Sequence, residues 1–414
     1  MNDSYFVTGL KCVKCSREYE ESPDIMTCPE CGRDGILDVL YDYEKASKVL
    51  TRESLRQNQD LSHWRYLPVM PVRSISNVPP LRVGWSPLYD SRNLAGKIGL
   101  RKLILKDDGI NPTASLKDRA SSVGAARAVE AGNKAVTCAS TGNAASSLAG
   151  SAAASGLATF IFVPDKAPEA KVAQLLIFGA NVFLSGSYEN AFEFSMACAD
   201  EFGFYNRNSA VNPFMVEGKK TVSWEMGEQL SWEAPDYIFV AVGDGCTIAA
   251  VWKGFVEMKR MGFIETLPVV IGVQAEGSSP VLKAWKTGGD MEPVTPETLA
   301  DSIAVGTPRN WRKAIDAVNE SHGFFMAVTD DEILDAMRLL GKESGVFGEP
   351  AGVTGLAGIV KAVREEKISG DASVAAIVSG NGLKDVKSAS EAAGSPNRVQ
   401  NLDEARNFIK QLIE

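Results

Sequence analysis

From residue 100 onward, short apolar segments alternate along the chain with alanine-rich segments of helical character. Most of the apolar segments lack polar residues at alternate positions, which is typical of parallel strands covered by helices on both faces. This alternation predicts an α/β architecture built on a doubly wound sheet. Ligands of such folds bind beyond the carboxyl ends of the strands. The segments expected to be strands are Leu103–Lys106, Ala135–Ala139, Thr159–Val163, Val182–Ser185, Tyr237–Val242, Val269–Gln274 and Val374–Val378.

The composition limits the possible partners and location of the protein. Its 414 residues predict two to three domains. The 43 basic and 52 acidic residues give a net charge of −9, which disfavours nucleic acid because its binding requires a basic face. No apolar run approaches the roughly 18 residues of a membrane span, and the N-terminus lacks a secretory signal pattern. We therefore expect a cytoplasmic protein that binds neither nucleic acid nor membrane.

Four of the seven cysteines form two C-x-x-C pairs, and twelve residues separate Cys15 from Cys28. Paired knuckles of this kind bring four thiolates together tetrahedrally, as structural zinc requires. Two disulfides are the alternative, which is disfavoured in a chain without a secretory signal. The pattern predicts that residues 1–42 are a zinc ribbon, too poor in apolar residues to form a core without the metal. The expected ligands are Cys12, Cys15, Cys28 and Cys31.

Catalytic chemistry in this chain has little histidine to draw on, because His63 and His322 are its only two. A Ser–His–Asp triad or a site with several histidine ligands is therefore disfavoured. Lys117 instead lies in a turn of small and hydroxyl residues between an expected strand and an expected helix. The positive end of a helix favours the neutral amine, which is the nucleophilic form. A solvated lysine at a helix start is the alternative.

The segment around this lysine, Asn111–Arg119, resembles the N-P-[TS]-[GA]-S-x-K-D-R signature of the fold-type II pyridoxal-phosphate enzymes. That family includes threonine synthase, cysteine synthase and the serine/threonine dehydratases, and the lysine that matches Lys117 carries the cofactor. The resemblance implies two doubly wound parallel-sheet subdomains in residues 43–414, the smaller near residues 125–215. It also implies a homodimer that acts on a small amino-acid substrate.

Three further loops, each after an expected strand, match cofactor-binding segments of this family. The resemblance implies that Asn143 contacts the ring hydroxyl, that Ser140 and Thr141 bind the substrate carboxylate, and that Ser379 faces the pyridine nitrogen. A glycine-rich turn before a helix is also a phosphate cradle in its own right, since its backbone N–H groups are free to bind an anion. The residues expected to form that cradle are Gly243, Asp244, Gly245, Cys246 and Thr247.

Segments around Asn208 and Lys220 are more particular to threonine synthase, and the resemblance assigns both residues to the substrate. Many members of that group carry an arginine at the position of Met215 and a threonine at the position of Ala144. Both are apolar here, so the phosphate of O-phosphohomoserine lacks two of its expected ligands, although Lys219 or Lys220 could compensate.

Three hypotheses about function follow. The first is threonine synthase, which converts O-phosphohomoserine and water to threonine and phosphate. The second is a serine/threonine ammonia-lyase or a β-replacement synthase on the same scaffold, favoured by the two lost phosphate ligands. The third is a non-catalytic protein whose ribbon recruits a partner. The joint presence of Lys117, Asn143 and Ser379 argues against the third hypothesis.

Overall fold

The computed structural model describes residues 5–22, 25–165, 167, 169–209 and 211–413. Near its N-terminus lies a small antiparallel sheet whose strand order is β2-β1-β4-β3. Its strands are β1 (Val7–Cys12), β2 (Glu18–Tyr19), β3 (Thr27–Cys28) and β4 (Gly32–Tyr41).

The larger of the two remaining sheets has six strands in the order β13-β12-β11-β14-β6-β5. All neighbours pair in parallel except β5 with β6, which are antiparallel. The edge strands β5 and β13 are short and were not expected from the sequence. The strands are β5 (Leu88–Asp90), β6 (Lys102–Asp107), β11 (Tyr237–Ala241), β12 (Val269–Ala275), β13 (Phe325–Val328) and β14 (Ser373–Val378).

The smaller sheet is wholly parallel and has the strand order β10-β7-β8-β9. The sequence predicted three of its strands, and the two-residue edge strand is the exception. The strands are β7 (Ala135–Ala139), β8 (Ala158–Val163), β9 (Asn181–Leu184) and β10 (Tyr205–Asn206).

Helices pack around both sheets, as expected for a doubly wound fold. Helix α13 lies on the larger sheet, where Gly358 approaches the Val273 side chain, and its apolar residues belong to the core of that sheet. The alanines of α4 and α5 pack with the smaller sheet. No helix among the described residues is long and apolar enough to cross a membrane. The helices are α1 (Tyr43–Val49), α2 (Arg52–Gln57), α3 (Arg92–Ile98), α4 (Lys117–Glu130), α5 (Asn143–Ala154), α6 (Glu169–Ile177), α7 (Tyr188–Phe202), α8 (Phe214–Gln229), α9 (Cys246–Arg260), α10 (Pro280–Thr287), α11 (Trp311–Glu320), α12 (Asp330–Ser344), α13 (Pro350–Arg364), α14 (Val386–Ala393) and α15 (Leu402–Ile413).

Candidate active site

A cavity lies at the carboxyl ends of strands from both sheets, where a doubly wound fold binds its ligands. The loops after β6, β7, β11 and β14 all contribute to its wall. Most of the site residues expected from the sequence line it together, although they are spread over more than half of the chain. They are Lys117, Ser140, Asn143, Asn208, Gly243, Asp244, Gly245, Cys246, Thr247 and Ser379.

Lys117 is the first residue of α4, and its side chain is half-buried in the cavity wall. Burial lowers the pKa of Lys117, and the positive charge of Arg207 lowers it further. Both effects favour the neutral amine, because they disfavour the charged form. The side chain is therefore suited to act as a nucleophile toward a carbonyl carbon.

A buried ion network fixes the start of α4 and with it the position of Lys117. The Arg119 guanidinium donates to Asp108 (Nε–Oδ2 2.6 Å) at the end of β6 and to Glu225 (Nη2–Oε2 2.8 Å) on α8. Lys106 also donates to Glu225 at 2.8 Å, and all four side chains are shielded from solvent. Because each charge has an opposite partner, the network ties the turn to the sheet.

The loop from Gly243 to Thr247 has the form of an anion cradle. Gly245 adopts a left-handed φ of +92°, and a Cβ there would lie 2.8 Å from the Asn310 carbonyl oxygen. The loop's backbone N–H groups donate to no other group in the described part of the chain, since the first N–H groups of a helix lack intrahelical partners. Those of the first turn of α9 can therefore bind a phosphate group.

Glu349 also lines the cavity, although the sequence predicts no role for it. It is buried at the start of α13, and its carboxylate accepts a hydrogen bond from Asn143 Nδ2 at 2.6 Å. Burial raises the pKa of Glu349 above its usual range. This contact orients the Asn143 amide. It also joins the start of α5, which packs on the smaller sheet, to the start of α13, which packs on the larger sheet. Gly380 makes room for it, because a Cβ there would lie 2.2 Å from Glu349 Oε1.

Two of the expected substrate residues do not line the cavity. Lys220 is buried away from the cavity. Its Nζ donates to Glu217 Oε2 on the same helix (2.5 Å) and to Glu257 Oε1 on α9 (2.6 Å). The expectation that Lys220 contacts substrate is therefore corrected: its charge is already paired within the protein. Thr141 adjoins the lining residue Ser140 without lining the cavity itself.

Five further cationic or hydroxyl residues line the cavity: Arg207, Ser209, Lys219, Ser302 and Arg309. Of these, the sequence raised only Lys219, as a possible ligand of the substrate phosphate. Arg207 follows the two-residue strand β10, and Lys219 lies on α8. Their signal in the sequence is slight, since a single cation in a loop or helix is usually a solvated side chain.

The four knuckle cysteines come together on the small N-terminal sheet. Their sulfur atoms all lie within 4.8 Å of one another, and none forms a disulfide. Four thiol groups at this spacing match the ligand set of a tetrahedral metal site. The geometry therefore opposes the two-disulfide alternative.

Comparison with known proteins shows the family to which the chain belongs. The model of the family described as "Pyridoxal-phosphate dependent enzyme" matches residues 80–380. This chain belongs to the pyridoxal-phosphate-dependent enzymes. The threonine synthase of Methanocaldococcus jannaschii is 39% identical over 97% of the chain and 99% of that protein. The threonine synthase of Methanosarcina acetivorans is 38% identical over 97% of the chain and 98% of that protein.

Solved structures share the fold at lower identity. Threonine deaminase isoform 2 from Solanum lycopersicum aligns with a TM-score of 0.64 at 22% identity, over 75% of this chain and 88% of that one. Maize serine racemase aligns with a TM-score of 0.62 at 22% identity, over 79% of this chain and 92% of that one. These likenesses establish the fold.

The residues of the cavity fit pyridoxal phosphate. Lys117 offers an amine with a lowered pKa, and the loop from Gly243 to Thr247 offers free N–H groups to a phosphate. Asn143 and Ser379 add an amide and a hydroxyl group to the same wall. The set contains one suitable partner for each polar part of the cofactor.

Proposed function

We propose that this pyridoxal-phosphate enzyme is a threonine synthase, which converts O-phosphohomoserine and water to threonine and phosphate. The observation that carries the proposal is the similarity to archaeal threonine synthases over nearly the full length of both chains. The cavity supports it, since Lys117 shares a wall with buried cations suited to an anionic substrate.

The bound cofactor supplies an electron-withdrawing ring that stabilises negative charge on the substrate carbons near the amino group. In the proposed reaction, Ser140 binds the substrate carboxylate close to the start of α5. Lys117 moves protons between the substrate carbons, for which an amine with a lowered pKa is suited. Phosphate departs from Cγ and a water oxygen adds at Cβ.

Ser379 and Asn143 are proposed to hold the ring of the cofactor. A hydroxyl group at Ser379 leaves the ring nitrogen largely uncharged, which suits elimination and replacement better than transamination. Glu349 positions the Asn143 amide through the hydrogen bond between them.

The direct test is release of inorganic phosphate from O-phosphohomoserine by the purified holoenzyme, with threonine measured as the second product. Substitution of Lys117→Ala should abolish turnover while the protein stays folded. Ammonia and a 2-oxo acid formed from threonine, without phosphate release from O-phosphohomoserine, would instead identify an ammonia-lyase. The apolar side chains of Met215 and Ala144 are the observation that favours this second candidate.

We further propose that Cys12, Cys15, Cys28 and Cys31 bind a structural zinc ion, with residues 1–42 as a zinc ribbon. Residues 43–414 would then form the catalytic region, with a smaller subdomain near residues 125–215. A cytoplasmic homodimer is the proposed state of the enzyme. Metal analysis should find one zinc per chain, and sedimentation should give the mass of two chains.

A further inference from the structure

Arg207 is a buried cation whose charge has no acidic partner among the residues that the structure describes. Its side chain is 1% exposed, and Nε donates to Ser121 Oγ at 3.0 Å. Nη1 donates to Ser209 Oγ at 2.6 Å, while Nη2 is buried without a hydrogen-bond partner in the described residues. A buried guanidinium left in this condition is costly unless a ligand completes its hydrogen bonds.

Lys219 is a second cation of the same kind, and it meets Arg207 at a shared hydroxyl group. It is 1% exposed, and its ammonium lies 3.4 Å from Ser209 Oγ. No carboxylate of the described ranges lies within ion-pair distance of it. The neighbouring Lys220 shows how this protein otherwise compensates a buried lysine, since Glu217 and Glu257 both contact it.

Both unpaired cations line the same wall of the cavity, so an anion that enters the cavity is the partner they lack. The phosphate of the cofactor already has the N–H groups of the loop before α9, and the substrate carboxylate has the hydroxyl groups at the start of α5. The remaining anionic group of the proposed substrate is the phosphate ester on its side chain.

Met215 packs near Arg207 and lies on the same helix as Lys219. A Cβ added to Gly124 on α4 would lie 3.2 Å from Met215 Cε and 3.8 Å from Arg207 Cγ. Met215 and Arg207 therefore both pack against α4 at Gly124. Lys219 lies four residues after Met215 and thus on the same face of α8.

We propose that Arg207 and Lys219, joined by Ser209, bind the side-chain phosphate of the substrate. The inference rests on the proposed function, because it identifies the phosphate-binding part of that site. Arginine offers two N–H groups to one phosphate, and lysine adds a point charge.

The test compares two amino acids that differ only in the phosphate, O-phosphohomoserine and homoserine. Each is mixed rapidly with holoenzyme while the absorbance of the bound cofactor is followed, so that affinity is read before product accumulates. In Arg207→Met the affinity for O-phosphohomoserine should fall roughly 10- to 100-fold, as expected for loss of charged hydrogen bonds. The affinity for homoserine should stay within about twofold of the wild-type value, since the bonds lost are those to the phosphate.

A second single variant keeps the proposal falsifiable if Arg207→Met does not fold. Lys219→Met should show the same selective loss, because its ammonium has a single weak contact within the protein.

Three outcomes would overturn the proposal: equal losses for both amino acids, unchanged affinity for O-phosphohomoserine, or weaker binding of the cofactor itself. The last would assign the cations to the cofactor's phosphate. Binding of inorganic phosphate, measured by calorimetry with wild-type and Arg207→Met holoenzyme, separates this proposal from the proposed function. If wild-type enzyme binds phosphate through Arg207 but releases none from O-phosphohomoserine, the subsite stands and the threonine synthase proposal fails.

Discussion

At the scale of single residues, the turn before Lys117 contains a strained position. Ala114 adopts a left-handed φ of +64°, which costs a residue with a Cβ about 1 kcal/mol. Its carbonyl accepts from the Asn381 N–H at 3.0 Å, and Ser115 pairs with Gly380 beside it. The strain is therefore maintained by contacts that place the turn against the loop of Ser379.

Substitution of Ala114→Gly should stabilise the protein by about 0.5–1 kcal/mol, because relief of strain outweighs the added flexibility of the unfolded chain. The change is measured as a higher temperature of unfolding. Ala120→Gly is the matched control, since Ala120 lies within α4 and is fully buried. That control should destabilise by about 1 kcal/mol or more. A similar loss in both variants would show that Ala114 is not strained.

A pH dependence follows from the environment of Lys219. Burial and the positive charges of Lys117 and Arg207 lower the pKa of Lys219 to about 8, although Cys246 and Asp244 oppose them. Loss of the proton removes a positive charge, so binding of a dianion should weaken as the pH rises through about 8.

Sulfate is the suitable probe, because its own charge is constant over this range. Its affinity for wild-type holoenzyme should drop roughly tenfold across the transition, as expected for loss of one charged contact. In Lys219→Arg the affinity should persist to higher pH, since arginine keeps its proton. A flat profile in the wild type would contradict the prediction.

At the scale of elements, the junction between β11 and α9 depends on the left-handed glycine that precedes the helix. Gly245→Ala would place a Cβ 2.8 Å from the Asn310 carbonyl oxygen and shift the N–H groups that face the cavity. We expect the affinity for pyridoxal phosphate to fall at least tenfold, measured by equilibrium dialysis, because displaced N–H groups lose charged hydrogen bonds.

The other end of α9 provides the control. Gly262 is also left-handed, with φ of +77°, but a Cβ there meets nothing within 4 Å. Gly262→Ala should cost about 1 kcal/mol of stability and leave cofactor affinity unchanged. Equal effects on cofactor affinity in both variants would show that phosphate binding does not depend on the conformation of the Gly243–Thr247 loop.

At the scale of the whole molecule, the small N-terminal sheet bridges the two larger sheets. Asp38 lies 3.1 Å from Lys253 on α9 and 2.9 Å from Lys313 on α11, both on the larger sheet's side. Arg33 donates to Glu193 at 2.7 Å on α7, beside the cavity residue Phe192. The sheet therefore contacts helices on both sides of the cavity, and we expect its order to affect how those helices are held.

Loss of the metal proposed for the four cysteines should weaken catalysis without removing the cofactor. In Cys28→Ser we expect a lower temperature of unfolding and a lower kcat/KM for O-phosphohomoserine, with the cofactor's absorbance retained. Cys198→Ser, at a half-buried cysteine outside the cluster, is the control and should change neither. An unaltered kcat/KM in a zinc-free Cys28→Ser enzyme would show that the sheet has no influence on the cavity.

The sequence alone determined the features that depend on neighbouring residues. These include the parallel strands, the lysine at a helix start, the glycine turn and the cysteine pairs. Each is specified within a few positions of the chain, because backbone conformation and ligand spacing are local properties. The edge strands β5, β10 and β13 escaped prediction because they are too short to show a pattern.

Only the tertiary structure decided which charges face the cavity. Lys219 and Lys220 are adjacent in sequence, yet a helix turns successive side chains about 100° apart, so one faces the cavity and the other faces Glu217 and Glu257. Asn143 and Glu349 are 206 positions apart and meet because two sheets pack together. Arg207 lacks an ion pair because the fold brings no described carboxylate within ion-pair distance of it, which its position in the sequence does not reveal.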